Sequence, residues 1–213
     1  MNEFIIKEIL DYVENNSQRE PELLRELNRE THLKILNPRM LSGSFQGRVL
    51  SMISKIIKPK TVLEIGTYTG YSALCIAEGL NKKGTIDTID INEELLEIQN
   101  KFFKKSGLHN QINQHTGDAL KIIPKINKKF DLVFLDADKE NYINYFELVR
   151  DKINRGGILL SDNVLWSGKV VNNQEEDLAT TKLIEFNNMI NKDKRFETII
   201  IPIRDGLSIS RKI

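Results

Sequence analysis

Asp136, Asp138 and Lys139 stand together directly after the apolar run Leu132–Leu135. Charges at the end of a strand that reads as buried need a reason. A second polar pair, Asp162–Asn163, closes the next apolar run, "GGILLSDN". Strands joined through a helix in this way lie side by side in a parallel sheet, with their ends at the edge where ligands bind. Asp136, Asp162 and Asn163 can therefore converge. Three oxygen ligands on rigid strand ends suit a hard divalent cation completed by water or substrate. Histidine and cysteine are absent nearby, which argues against zinc. The plainer alternatives are that Asp136 and Asp162 cap the segments they precede and that Lys139 is a solvated surface residue.

A glycine turn supplies a second constellation. "LEIGTYTGYSA" leaves one strand and opens the next helix, so Gly66 and Gly70 let the backbone turn tightly and approach a ligand at a helix N-terminus. Asp90, 24 residues after Gly66, ends the next strand, where an acid accepts hydrogen bonds from ribose hydroxyls. Tyr68 occupies the second glycine position of a dinucleotide fingerprint, which keeps the backbone away from a pyrophosphate. Glu64 is poor company for phosphate but can pair with an ammonium, directly or through water. S-adenosylmethionine, with adenosine at one end and an amino acid at the other, answers both points. A bare strand–turn–helix with a capping glycine is the alternative.

These groups need a scaffold, and the hydrophobic pattern provides one. Helical spacing covers residues 2–15, a second helix opens at Pro21, and the loop "NPRMLSGSFQG" leads into a helix that Pro59 ends. Strands and helices then alternate: "TVLEIG", "YSALCIAEGL", "GTIDTIDI", "EELLEIQNKFFKKSG", a weak strand "INQHTG", "DALKIIPKI", "FDLVFLDA", "ENYINYFELVRDKI", "GGILLSDN" and "DLATTKLIEFNNMINKD". The end, "FETIIIPIRDGLSISRKI", reads as two strands around the turn "RDG". This alternation predicts a mainly parallel sheet covered on both faces, with one antiparallel strand from the final pair. The expected organisation is a single domain over 1–213, with a helical cap at 1–58 and an α/β core at 59–213.

Composition sets bounds. The 213 residues are 40% hydrophobic and 29% charged, with a net charge of +1. That excludes a global basic field for nucleic acid. The lone Cys75 cannot form an internal disulfide, which fits a reducing cytoplasm, and its apolar neighbours make it a packed thiol. The N-terminus lacks a basic segment of signal-peptide type, and no apolar run approaches the roughly 20 residues of a membrane helix. His32, His109 and His115 lie outside every motif.

Taken together, "LEIGTYTGYSA", "TIDI", "GDA" at 117–119, "LDADKENY" and "SDNVLWSG" resemble the cation-dependent O-methyltransferases that act on catechols and on caffeoyl-CoA. The order and spacing fit from about residue 38 onward; the preceding residues match only in being helical. The resemblance implies the class I S-adenosylmethionine-dependent methyltransferase fold, Rossmann-like, with a seven-stranded sheet whose last strand is antiparallel. It implies metal ligands at Asp136, Asp162 and Asn163, for magnesium first, with manganese or calcium as alternatives. It implies cofactor contacts at Glu64, Gly66, Tyr68, Ser72, Asp90, Asp118 and Ala119, beside Gly70 and Asp136. It makes Lys139 the base and Trp166 part of the acceptor wall, and it implies a homodimer. "DADK" and "DN-x-L-W" look like the plant and bacterial branch, because Asp138 stands where the mammalian catechol enzymes carry an aromatic residue. Met40 and Phe45 are assigned either to the mouth of the site, with Met40 then on the acceptor, or to core packing. Asp205 and Gly206 are assigned to a hairpin turn.

The chemistry is coherent. Methyl transfer from a sulfonium is an in-line displacement that needs a nearly anionic oxygen, and a phenol with pKa about 10 is mostly protonated at neutral pH. A divalent cation on two adjacent hydroxyls lowers that pKa, and orientation alone supplies roughly 7–11 kcal/mol. Lys139 then takes the proton as the neutral amine that a neighbouring dication favours, and Asp138 orients neighbours. The expected acceptor is a small vicinal-dihydroxy aromatic, catechol- or caffeate-like. The acids at 175–177 in "GKVVNNQEEDLA" favour a free phenol over a coenzyme A thioester. Two other functions stay open: methylation of a hydroxylated uridine in transfer RNA through a patch of Lys34, Arg39, Arg48 and Lys169, and a non-catalytic S-adenosylmethionine-binding regulator. Tyr68 sets a nicotinamide oxidoreductase further away.

Overall fold

The computed structural model describes residues 5–171 and 177–213. Three helices come first: α1 (Lys7–Asn15), α2 (Glu22–Lys34) and α3 (Gly43–Ile57). Pro21 sits at the N-cap of α2, where its missing N–H costs nothing. The expected loop over 37–47 is shorter than the pattern implies. Pro38–Met40 form a 3-10 turn, and α3 already begins at Gly43. Gly47 is helical because α3 lies so close to the following helix that a Cβ there would stand 2.7 Å from the Tyr71 ring.

The alternating part follows in order: β1 (Thr61–Ile65), α4 (Tyr71–Ala77), β2 (Thr85–Asp90), α5 (Leu96–Lys105), β3 (Ile112–Thr116), α6 (Ala119–Ile122), β4 (Phe130–Leu135), α7 (Tyr142–Val149), β5 (Ile153–Asp162), α8 (Leu178–Lys192), β6 (Phe196–Ile201) and β7 (Leu207–Lys212). One seven-stranded sheet runs β3-β2-β1-β4-β5-β7-β6, and β7 is antiparallel to both of its neighbours. This is the expected class I methyltransferase architecture. One boundary differs: α7 stops at Val149 and the strand starts at Ile153, not at the glycines. Ile153 is buried opposite Phe130, and the register shifts before Leu132 pairs with Ile158, a displacement that Gly156 at φ 78° accommodates.

The centre of the sheet is buried on both faces, while the edge strand β6 leaves Ile199 and Ile200 exposed. Along β4, Leu132 and Phe134 join the core that holds Tyr71, Leu74 and Phe102, while Val133 and Leu135 join the one that holds Tyr142, Phe146 and Phe186. That two-residue alternation is the strand's own. Leu24, Leu27 and Leu50 of the cap belong to the first of these cores, so the cap and the sheet share packing. Cys75 is buried in it, as expected of a packed thiol.

Register then fixes the strand tips. Ile65 pairs with both Ile89 and Leu135, and Leu135 with Ser161. The next residues, Gly66, Asp90, Asp136 and Asp162, therefore stand in one row, with strands about 4.8 Å apart. Gly66 at φ 102° allows the closest approach in that row, since a Cβ there would lie 2.0 Å from the Asp136 carbonyl oxygen. Gly66→Ala is expected to cost about 3 kcal/mol, combining backbone strain with an unavoidable clash. Urea unfolding checks this; a loss below about 0.5 kcal/mol, the size of an ordinary surface change, would mean the tips separate freely.

Candidate active site

A cavity of about 570 Å³ opens over this row of tips. Among its lining residues are Gly66, Tyr68, Ser72, Asp90, Asp118 and Ala119, six of the expected cofactor contacts. Asp90 braces the turn: its Oδ2 accepts from the Tyr68 N–H at 2.6 Å and its Oδ1 from the Asn92 N–H at 2.8 Å. Each oxygen keeps a second lone pair, as a ribose hydroxyl requires. Tyr68 is a non-glycine residue at φ 49°, and Gln99 Nε2 donates to its carbonyl at 2.6 Å, which holds the strained turn in place. Asp118 caps α6 through the Leu120 N–H at 2.9 Å.

Two expected cofactor contacts lie off this lining. Gly70, at φ 88°, is packed against Phe103, whose ring a Cβ would meet at 2.5 Å; its glycine serves the turn and the packing. Glu64 is fully buried, while its neighbours Gly66 and Ser72 line the cavity. Its Oε2 accepts from the Thr88 hydroxyl at 2.5 Å, and its Oε1 has no hydrogen-bond partner among the described residues. Burial pushes the carboxyl up to about 8; hydrogen bonds from Thr88 and Ser72 oppose this, and the charges of Asp136 and Asp90 add to it.

At the other end of the cavity, Asp136, Asp162, Asn163, Lys139 and Trp166 come together. Lys139 is no surface residue: it is 8% exposed, and its Nζ donates to Asp136 Oδ1 at 3.0 Å and to the Tyr142 hydroxyl at 2.7 Å. The Tyr142 hydroxyl lies 2.9 Å from the Asp162 carbonyl, so one phenol spans the ends of β4 and β5. Asp162 does not cap a helix; its Oδ1 accepts from the Asn163 N–H at 2.9 Å. Burial first, then the charge of Asp136, pushes the Asp162 carboxyl up, against Lys139, Gln46 and Arg204. Two carboxylates thus crowd one hollow, with an amide beside them. Among the described residues no three or more His, Cys, Asp and Glu side chains are placed to share a metal ion. The donor set here is two carboxylates and an amide, chemistry that fits a hard dication retaining several waters.

The remaining expectations divide. Asp138 also lines this cavity, and its carboxylate accepts from Tyr145 at 2.6 Å and from Asn141 at 2.5 Å. Met40 is 61% exposed at the cavity rim, which settles it against core packing. Phe45 instead lines an adjoining cavity of about 500 Å³. Trp166 faces the first cavity, with Lys139 Nζ 6.0 Å from its ring. Glu175 and Glu176 lie outside the described residues, while Asp177 caps α8 and pairs with Lys169 at 3.1 Å. Lys34 pairs with Glu30 and Arg48 with Glu78, so three of the four cations proposed for a nucleic-acid patch have carboxylate partners.

Two contributors were not singled out from sequence. Tyr142 stands three residues after Lys139, a helical spacing that was a usable signal. Gln46, whose Nε2 donates to Asp162 Oδ2 at 2.6 Å across 116 residues, left no local trace. Asp205 and Gly206 do more than turn a hairpin: their carbonyls accept from the Leu165 and Val164 N–H groups, and Asp205 Oδ1 accepts from the Ser167 N–H. That turn carries the segment 163–168, in which Asn163, Trp166 and Ser167 all have positive φ.

The O-methyltransferase family model matches residues 14–213. A caffeoyl-CoA O-methyltransferase of Petroselinum crispum is 37% identical over 209 residues, covering 92% of this chain and 86% of the relative. A putative caffeoyl-CoA O-methyltransferase of Arabidopsis thaliana is 39% identical over 204 residues, covering 92% and 88%. Among solved structures, an SAH-bound methyltransferase of Podospora anserina superposes with a TM-score of 0.89 at 27% identity, covering 98% of this chain and 97% of that one. An O-methyltransferase of Bacillus cereus in complex with SAH gives 0.87 at 25% identity, covering 97% of each chain.

The raised carboxyl of Glu64 would make binding of a cationic ligand beside it a proton-linked event. With its value lifted from 4.5 to about 8, the neutral form prevails below pH 8, and a cationic ligand alongside favours the anion. Affinity for S-adenosylmethionine is expected to rise with pH toward about 8 and then level off, with proton release that Glu64→Gln removes. Calorimetry in buffers of different ionisation enthalpy checks it; equal release by both proteins would refute the coupling.

Proposed function

Because the chain belongs to the O-methyltransferase family, for which S-adenosylmethionine is the methyl donor, we propose that it methylates a hydroxyl of a small vicinal-dihydroxy aromatic and depends on a divalent cation, magnesium first, for doing so. The observation that carries this reading is the grouping of Asp136, Asp162 and Asn163 at register-matched tips, with Lys139 held 3.0 Å from Asp136 at the edge of the cofactor cavity. The names of the relatives support an aromatic acceptor. The reading extends to one domain over 1–213, a cytoplasmic location and a homodimer. Among the described residues no helix is long and apolar enough to cross a membrane.

Asp136, Asp162 and Asn163 would hold the cation, and Asp136 also borders the donor. A cation bound there would lower the pKa of an adjacent phenol and fix its oxygen. Lys139 would receive the hydroxyl proton, with its amine kept in place by Tyr142. Gly66, Tyr68, Ser72, Asp90, Asp118 and Ala119 would hold the donor so that its methyl group faces that oxygen. Trp166 would form a flat wall for the aromatic ring and keep water from the reacting atoms, with Met40 closing the rim. The oxygen–methyl bond forms as the sulfur–methyl bond breaks, and the proton leaves on Lys139. The transfer RNA alternative loses support from the ion pairs of Lys34, Arg48 and Lys169.

The test offers the purified protein labelled donor with catechol, caffeate, a caffeoyl thioester or bulk transfer RNA, each with and without chelator. Label is expected in the small diols and lost on chelation; label in RNA alone, or label that survives chelation, refutes the reading. Asp136→Ala is expected to abolish turnover while leaving donor binding by calorimetry largely intact. Lys139→Met is expected to slow turnover by about 10²–10⁴-fold, the usual weight of a general base, with the donor's KM little changed.

A further inference from the structure

Gln46 has no part in the reaction as described, yet it is 1% exposed and its amide is fully committed. Nε2 donates to Asp162 Oδ2 at 2.6 Å, and Oε1 accepts from Arg204 Nη1 at 2.8 Å. Arg204 Nη2 also reaches the Leu41 carbonyl at 3.4 Å. A guanidinium only donates and a carboxylate only accepts, so the amide has one permitted orientation, oxygen to Arg204 and nitrogen to Asp162. Reversing it would put like groups face to face on both sides. The second carboxylate oxygen, Oδ1, is fixed by the Asn163 N–H at 2.9 Å. Asp162 therefore has one donor on each oxygen, and each oxygen retains a lone pair.

We propose that Gln46 is a positioning residue for Asp162, setting the rotation of its carboxylate and thereby the geometry of the cation-holding set. The inference rests on the reading that Asp136, Asp162 and Asn163 hold a divalent cation. Charge explains why an amide suits the position. An arginine or lysine in direct contact with Asp162 would neutralise the carboxylate and compete with the cation. The neutral amide passes on the orienting effect of Arg204 and keeps its positive charge one side chain further away, where Coulomb repulsion is weaker. Outer partners of this kind orient ligands, and their loss typically costs 10–100-fold in metal affinity. The relay also spans three distant parts of the chain: α3, the tip of β5 and the β6–β7 connection.

The test titrates Mn²⁺ into the full-length protein and follows free Mn²⁺ by electron paramagnetic resonance, without acceptor. Gln46→Met, of similar length but with no donor, is expected to weaken Mn²⁺ binding by about 10–100-fold. SAH affinity and far-ultraviolet circular dichroism should stay unchanged, and saturating Mn²⁺ should restore most of kcat, which a merely structural role would not allow. Arg204→Met gives a second, independent sign. Removing a nearby positive charge by itself would tighten Mn²⁺ binding, whereas loosening the relay weakens it, and weakening is expected. Parent-like or tighter binding in both variants overturns the inference while leaving the cation reading intact. A parent protein that binds no Mn²⁺ overturns the cation reading and this inference with it.

Discussion

Parallel pairing of β1, β2, β4 and β5 in a single register is the constraint on which the site depends. It delivers Gly66, Asp90, Asp136 and Asp162 to adjacent tips, and with Glu64 just inside β1 it concentrates carboxylates where water is scarce. Burial above all, with the like charge of Asp136 adding to it, pushes both Glu64 and Asp162 up. Lys139 answers part of that negative potential. The rest constitutes a demand for positive charge, which a sulfonium donor carrying an ammonium group would meet at one end of the cavity. The hollow between Asp136 and Asp162 makes the same demand at the other.

The sheet alone does not complete the site. Beyond the tip of β5 the chain passes through positive φ at Asn163, Trp166 and Ser167, conformations that non-glycine residues adopt only when their surroundings hold them there. The holding groups come from elsewhere in the chain. The 205–206 turn satisfies the backbone of Val164, Leu165 and Ser167, while α3 sends Gln46 against Asp162. The cap is thus joined to the site by polar contacts as well as by the apolar core that Leu24, Leu27 and Leu50 share with Val62.

What the sequence disclosed follows the range of its signals. Element order, the antiparallel β7 and the meeting of Asp136, Asp162 and Asn163 were legible because period, turn residues and strand-end chemistry are local, and parallel topology converts them into neighbours. Asp138, two residues past the tip, engages Tyr145 and Asn141, partners that follow it closely in the chain. The start of α3 at Gly43 was hidden because glycine and serine read as loop. Gly70 was assigned to the cofactor by its place in a fingerprint, but Phe103 is what it accommodates. Gln46, Arg204 and Asp205 were invisible as partners because each acts across a separation that only the folded chain closes.

The support of segment 163–168 by residues 205–206 bears on how the molecule is made. A ribosome releases residues in order, and Gly66, Asp90, Asp118 and Asp136 all emerge before the acceptor wall. Trp166 follows them, and the N–H of its neighbour Ser167 gains its acceptor, Asp205, only some 40 residues later. The nascent chain therefore holds the row of strand tips well before it holds the 205–206 turn that braces the segment beyond the last of them.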